Sequence, residues 1–319
     1  MPDIAILFKT SDKTPMVIEE KHLQMLRDHN PDGEIRVFET EEEMLAADFD
    51  AEILISWGQF TPNTYCNRSK KLKWIQGISA GMEGLLALDK AKEVMVTKMA
   101  GVHGVPMSET TMCYILAFLH GFPQMRVNQR KHYWKKPENP VPTEAVGKTV
   151  AILGMGAIGT EVARKCKCFD MKVIGCKRTP TPMEFVDEMY STADMEKVLS
   201  MADFVVCLIP HSPESEKSFG AAQFAQMKDT AVFISIGRGK VIDTDAMVYA
   251  LENGVIAGAA LDALDPEPLP EDHPLWDLEN VIITPHCSAD SPYYFDRAFL
   301  VICDNLDRYL KGEDLLYRA

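Results

Sequence analysis

Three side chains of complementary chemistry follow apolar stretches in the second half of the chain: Arg238 in ISIGRGKVID, Glu267 in LDALDPEPLP and His286 in VIITPHCSAD. Reducing a 2-oxoacid with a nicotinamide needs a cation for the carboxylate and a proton donor for the carbonyl oxygen. It also needs a group that keeps the donor protonated near neutrality. Arginine's planar fork pairs with a carboxylate through two hydrogen bonds. Histidine, with an ordinary pKa of about 6.5, can give the proton, and a neighbouring carboxylate raises that pKa. Each residue alone is more often structural, but the three together, each just past a strand, point to catalysis.

A second set of residues could bind the nicotinamide carrier. Residues 148–168 read KTVAILGMGAIGTEVARKCKC, in which an apolar strand, Thr149–Leu153, runs into Gly154, Met155, Gly156, Ala157, Ile158 and Gly159. In a GxGxxG turn the first glycine permits the bend, the second lets backbone approach a pyrophosphate, and the third lets helix pack on strand. The following helix, begun by Ile158, Val162 and Ala163, offers its free N–H groups to that anion. Where an acidic residue would accept hydrogen bonds from the adenosine ribose, 23 positions after Gly154, stand Lys177, Arg178 and Thr179. Two cations and a hydroxyl suit a 2′-phosphate, so the expected cofactor is NADP(H) rather than NAD(H). The other reading makes Lys177 and Arg178 plain surface charges.

The elements that would position these residues alternate between strand and helix. Strands are expected at 4–8, 35–38, 53–56, 74–78 and 94–98, with a helix over 17–27. After the glycine turn, strands are expected at 171–176, 203–209, 231–235, 255–261 and 281–283. Helices are expected over 243–252, capped by Asp243, and over 293–310. This pattern predicts parallel sheets covered by helices. In the first half, the loops Trp57–Phe60 (WGQF) and Ser79–Gly84 (SAGMEG) lie where open α/β sheets bind ligands, and the glycines of the second could turn N–H groups toward a carboxylate. Both read equally well as ordinary turns. A long apolar helix opened by Pro106 is expected to run to about Gly121, and His103 before it reads as a structural histidine.

At 319 residues the chain has room for about two domains. A net charge of −14 disfavours nucleic acid or an anionic membrane surface as partner. The basic runs 68–73 and 126–136 read as solvated faces or subunit contacts. There is neither a leader pattern nor an apolar run of the roughly 18 residues a membrane helix needs, so a cytosolic protein is expected. Its eight cysteines lack the spacing of a disulfide framework. Cys166 and Cys168 would face different sides of a helix, so no metal site is expected there.

With SAG at 79–81, PMSE at 106–109, GMGAIG at 154–159, GRG at 237–239, LDALDPEP at 261–268 and TPH at 284–286, the chain resembles the D-isomer-specific 2-hydroxyacid dehydrogenase family over nearly its whole length. The resemblance implies an α/β fold of two Rossmann-like or flavodoxin-like domains with parallel sheets and a cleft between them. The substrate domain would be discontinuous, 1–100 plus 289–319, and the dinucleotide-binding domain would span 101–288. It implies a triad of Arg238, Glu267 and His286, a nicotinamide contact from Asp262, and cofactor contacts from Pro210, Ile236, Gly237 and Arg238. The substrate would meet Arg238, His286 and the backbone of Ala80, Gly81 and Met82. A homodimer would form largely through the cofactor domain, with the stretch around Tyr133 and Trp134 as a packing arm. Two positions depart from the family pattern, Ser235 for a common Asn and Ser288 for a frequent Ala. Trp57, Phe60, Met82, Tyr293 and Tyr294 are candidates either for the substrate side-chain pocket or for core packing. Families on the same scaffold that oxidise formate or phosphonate, and corepressors that sense the cofactor, are the alternatives to a 2-oxoacid reductase.

Overall fold

The computed structural model describes residues 1–9, 15–138 and 141–319. The chain divides into two compact units. The first combines residues 1–102 with 290–319, and the second is 103–289.

The first unit holds strands β1 (Ile4–Leu7), β2 (Ile35–Phe38), β3 (Ile53–Ser56), β4 (Trp74–Gly77) and β5 (Met95–Thr97). They pair in parallel in the order β2-β1-β3-β4-β5, a doubly wound arrangement. Strands β1, β3 and β4 are buried along their whole length: β1 and β3 are apolar but for Ser56, and in β4 the buried Gln76 is hydrogen-bonded to Thr97 and Asn305. The helices in this half are α1 (Glu20–His29), α2 (Glu41–Ala46), α3 (Asn63–Arg68) and α4 (Glu83–Leu86). Helix α1 starts at Glu20, later than the expected Val17, because Val17 is exposed and Glu19 supplies a capping box with His22.

The second unit opens with α5 (Gly104–Leu119) and α6 (Phe122–Arg130). Helix α5 begins before Pro106, which sits in the first turn where an N–H has no helical partner to lose. His103 is buried at its N-cap position. Then come β6 (Thr149–Leu153), α7 (Ala157–Cys168), β7 (Lys172–Cys176), β8 (Glu188–Tyr190), α8 (Met195–Met201), β9 (Phe204–Cys207), α9 (Ala221–Gln226), β10 (Val232–Ser235), α10 (Thr244–Glu252), β11 (Gly258–Leu261) and β12 (Val281–Ile283). The seven strands form a parallel sheet in the order β12-β11-β10-β9-β6-β7-β8. The first strand of this unit, β6, therefore lies between its second, β7, and its fourth, β9. That reversal is the switch point at which doubly wound sheets bind nucleotides.

The last helix, α11 (Tyr294–Lys311), belongs to the first unit. Its Phe295, Phe299, Ile302 and Leu306 are buried with Ile4, Ile6, Ile53 and Trp74 of that unit's sheet. Among the described residues, no helix is long and apolar enough to cross a membrane.

Candidate active site

The glycine turn follows β6 at the switch point, and each glycine has its own steric reason. Gly154 has φ +108°, and a Cβ there would lie 2.6 Å from the Leu208 carbonyl oxygen. A Cβ on Gly159 would lie 2.5 Å from the Gly154 carbonyl oxygen, so only glycine lets α7 sit this close to the turn. On Gly156 a Cβ would meet nothing within 4 Å. The space beside that backbone, next to the free N–H groups of the first turn of α7, is what a pyrophosphate needs, so the residues fit a dinucleotide. Met155 is buried, and its side chain packs over Gly175 of β7. Ala157 and Ile158 are the first residues of α7.

The neighbouring strand ends supply the rest of the expected cofactor surface. Lys177, Arg178 and Thr179 leave β7 directly, Arg178 and Thr179 exposed and Lys177 half-buried. The Lys177 ammonium donates to Thr181 Oγ1 at 2.8 Å. Pro210, exposed after β9, accepts at its carbonyl from Ser215 Oγ. Ile236 is buried at the end of β10, and a Cβ on Gly237 would lie 3.1 Å from the Cys207 carbonyl oxygen. Cys166 is buried and Cys168 exposed, facing different sides of α7.

Arg238, Glu267 and His286 come together after β10, β11 and β12. Arg238 follows Gly237 and donates from one Nη to its carbonyl oxygen at 3.0 Å. A Cβ on Gly239 would stand 1.9 Å from the Leu264 carbonyl oxygen, so this glycine lets the arginine turn press against the loop that carries Glu267. In that loop Glu267 Oε1 accepts the Leu264 N–H at 2.8 Å, leaving Oε2 to meet His286 Nδ1 at 2.8 Å. A carboxylate only accepts, so Nδ1 carries the hydrogen of this bond and Nε2 takes no part in it. The hydrogen bond to Glu267 raises the His286 pKa above its ordinary value against the opposing effect of burial, and the charges of Glu267 and Asp262 add to it while Arg238 opposes. Burial pushes the Glu267 carboxyl up, but the bonds from His286 and Leu264, with the charges of His286 and Arg238, outweigh it and hold it below the usual range.

Asp262 is buried, and its carboxylate is already bonded within the protein. Oδ1 accepts from Thr284 Oγ1 at 2.6 Å and from the Cys287 N–H at 2.9 Å, and Oδ2 accepts from the Ser288 N–H at 3.1 Å. The two departures from the family pattern sit in the same framework. Ser235 accepts the Asp262 N–H at its carbonyl, and Ser288 contributes the N–H just named.

The family's sequence profile, described as D-isomer specific 2-hydroxyacid dehydrogenase, NAD binding domain, matches residues 112–288. The chain belongs to the D-isomer-specific 2-hydroxyacid dehydrogenases. These are NAD(P)-dependent oxidoreductases, and this dehydrogenase is 32% identical to glyoxylate/hydroxypyruvate reductase B of Citrobacter koseri over 86% of each chain. Among solved structures, a family member from Aeromonas salmonicida superimposes with a TM-score of 0.86 at 28% identity, covering 99% of this chain and 98% of that one. The NADPH-dependent glyoxylate/hydroxypyruvate reductase of Sinorhizobium meliloti, solved with NADP and sulfate, gives 0.82 at 28% identity over the same shares.

The dehydrogenase carries its other expected substrate residues in the first unit. Ala80, Gly81 and Met82 follow β4 in a loop fastened to the loop after β3. Ser79 Oγ accepts the Gly58 N–H at 2.9 Å and donates to the Gly81 carbonyl at 2.7 Å, and the Leu85 N–H reaches the Gly58 carbonyl. The Met82 side chain turns inward onto Gly77 and joins the buried cluster of the first unit. Tyr294 is buried and donates to the Ile78 carbonyl at 2.6 Å, just before the loop. Of the five pocket candidates, Met82 and Tyr294 are thus core residues. Tyr293 is exposed, and Trp57 and Phe60 are half-buried in the loop after β3. Sequence reasoning passed over Thr284, whose hydroxyl binds Asp262, and Tyr114, whose hydroxyl binds Thr284.

Proposed function

We propose that this dehydrogenase reduces a small 2-oxoacid of the glyoxylate or hydroxypyruvate type to the D-2-hydroxyacid, with NADPH preferred over NADH. The observation that carries the reaction is the 2.8 Å contact of His286 Nδ1 with Glu267, which favours the charged imidazole and leaves Nε2 to act. A nicotinamide dinucleotide, held by the Gly154–Gly159 turn and the start of α7, would supply the hydride for the carbonyl carbon. His286 Nε2 gives its proton to the carbonyl oxygen, and Glu267 stabilises the imidazolium until it gives the proton up. Arg238 pairs with the substrate carboxylate and so fixes the carbonyl for attack.

The cofactor preference rests on Lys177, Arg178 and Thr179 at the end of β7, where an acid would repel a 2′-phosphate. Asp262 aids the nicotinamide side of the site. The small-substrate reading is supported by the two reductases above, both described as acting on glyoxylate and hydroxypyruvate. The protein works as a cytosolic homodimer through its second unit. The exposed Tyr133 and the fully exposed Trp134 support a contact there.

The test is NADPH and, separately, NADH consumption across a panel of 2-oxoacids, with His286→Ala as the blank. Rapid NADPH oxidation with glyoxylate or hydroxypyruvate that the variant abolishes is the expected result. A preference for NADH would overturn the phosphate-site reading and leave the reaction standing. Turnover of no 2-oxoacid would overturn the reaction.

A further inference from the structure

His286 is held in a costly conformation. Its φ is +51°, in the left-handed region that non-glycine residues enter only when their surroundings force them. Three successive N–H groups are pinned to one residue: His286 N–H donates to the Asp262 carbonyl at 3.0 Å, and those of Cys287 and Ser288 donate to its carboxylate. Asp262 is fixed in turn by Thr284, whose Oγ1 lies 2.6 Å from Oδ1, and Thr284 Oγ1 lies 2.5 Å from the hydroxyl of Tyr114 on α5. The hydrogens have only one consistent order. The Asp262 carboxylate accepts, so Thr284 gives its hydrogen to Asp262 and Tyr114 gives its own to Thr284. Tyr114 is buried, with its ring among the apolar residues around α5 and the sheet.

From this chain of bonds we infer that Tyr114 is a positioning residue for proton transfer, holding His286 in register with Glu267 through Thr284 and Asp262. The inference rests on the reading of His286 as the proton donor. Burial pushes the Tyr114 phenol up to about 12, so it remains a donor across the working range of pH. The groups facing it are Asp262, Cys287 and Cys113, and those facing His286 are Glu267, Asp262 and Arg238. Without the phenol hydroxyl, Thr284 can rotate away from Asp262, the left-handed turn loosens, and His286 spends less time on Glu267. Its pKa then falls toward the ordinary value.

The experiment is an NMR titration of the full-length protein with ring-labelled histidine, the His286 signal being identified by its loss in His286→Ala. In Tyr114→Phe the midpoint should fall by about half a unit, with kcat for reduction down about fivefold, the scale of one hydrogen bond. Thr284→Val should lower the midpoint at least as far, Thr284→Ser should preserve it, and the double variant Tyr114→Phe with Thr284→Val should match Thr284→Val alone. A Tyr114→Phe protein that melts earlier yet titrates like the parent would make the tyrosine merely structural and overturn the inference. A shifted midpoint in Tyr114→Phe together with full turnover by His286→Ala would keep the positioning and overturn the proton-donor reading instead.

Discussion

At the scale of single residues, the proposed role of His286 ties the rate to its protonation. With His286 as the proton donor, reduction would consume the imidazolium and its rate should fall as pH rises through the His286 pKa, which Glu267 holds above the ordinary value. Replacing Glu267 by Gln removes the anion while leaving a group that can still accept from Nδ1. The alkaline fall of kcat/KM for reduction should therefore move to lower pH, toward about 6.5. Oxidation needs neutral imidazole, so its acid limb should move in the same direction. Paired pH profiles of parent and Glu267→Gln check this, and two unmoved profiles would remove Glu267 from its assigned role. Arg238, Glu267 and His286 were legible in the sequence because each is a charged or imidazole group just past an apolar run. Tyr114 was not legible. It sits in the apolar body of α5, where a tyrosine reads as core, and its partner lies 170 positions further on. The side chain of Asp262 was read for the cofactor alone, although most of its carboxylate is spent on the turn that carries His286.

At the scale of elements, the β6-turn-α7 unit separates two uses of glycine that the motif writes with the same letter. A methyl group on Gly159 would strike the backbone oxygen of Gly154, and neither helix nor turn can yield without losing the packing between them. A methyl group on Gly156 would meet only the open space where a pyrophosphate would lie. Gly159→Ala should therefore cost about 1–3 kcal/mol of stability, as overpacking does, and weaken NADPH binding as a consequence. Gly156→Ala should weaken NADPH binding without lowering the Tm of the cofactor-free protein. Thermal melts without cofactor and fluorescence titrations with NADPH distinguish the two. Equal Tm losses would mean that Gly156 too is needed for packing. Most strands could be read from their apolar runs, but β8 could not. Its Glu188, Met189 and Tyr190 are each only partly buried at the edge of the sheet, so no apolar run marks it. The start of α1 was misread for the opposite reason: Val17 and Ile18 extend the apolar pattern past the point where Glu19 caps the helix.

At the scale of the molecule, the chain leaves its first unit at Val102 and returns to it at Asp290, so the first unit is completed only when the last helix has been made. The helix expected over 293–310 makes this return, and named contacts give the reason. Phe295 packs edge-on against Phe8 at 5.0 Å between ring centroids, His22 stacks on Phe299 at 5.0 Å, and Asp296 meets His22 across α1 and α11. The second unit owns two hydrophobic clusters, one on each face of its sheet, and neither draws on α11. A chain ending at Pro292 should consequently keep the second unit folded and still bind NADPH, while the first unit, stripped of Phe295, Phe299, Ile302 and Leu306, exposes its sheet. Limited trypsin digestion followed by mass spectrometry should cut such a chain within residues 16–98 and spare 149–283, whereas the full-length protein resists in both. Protection of the first unit in the shortened chain would show that α11 is dispensable for its core. Loss of both units together would show that the second depends on the first for stability, despite its separate clusters.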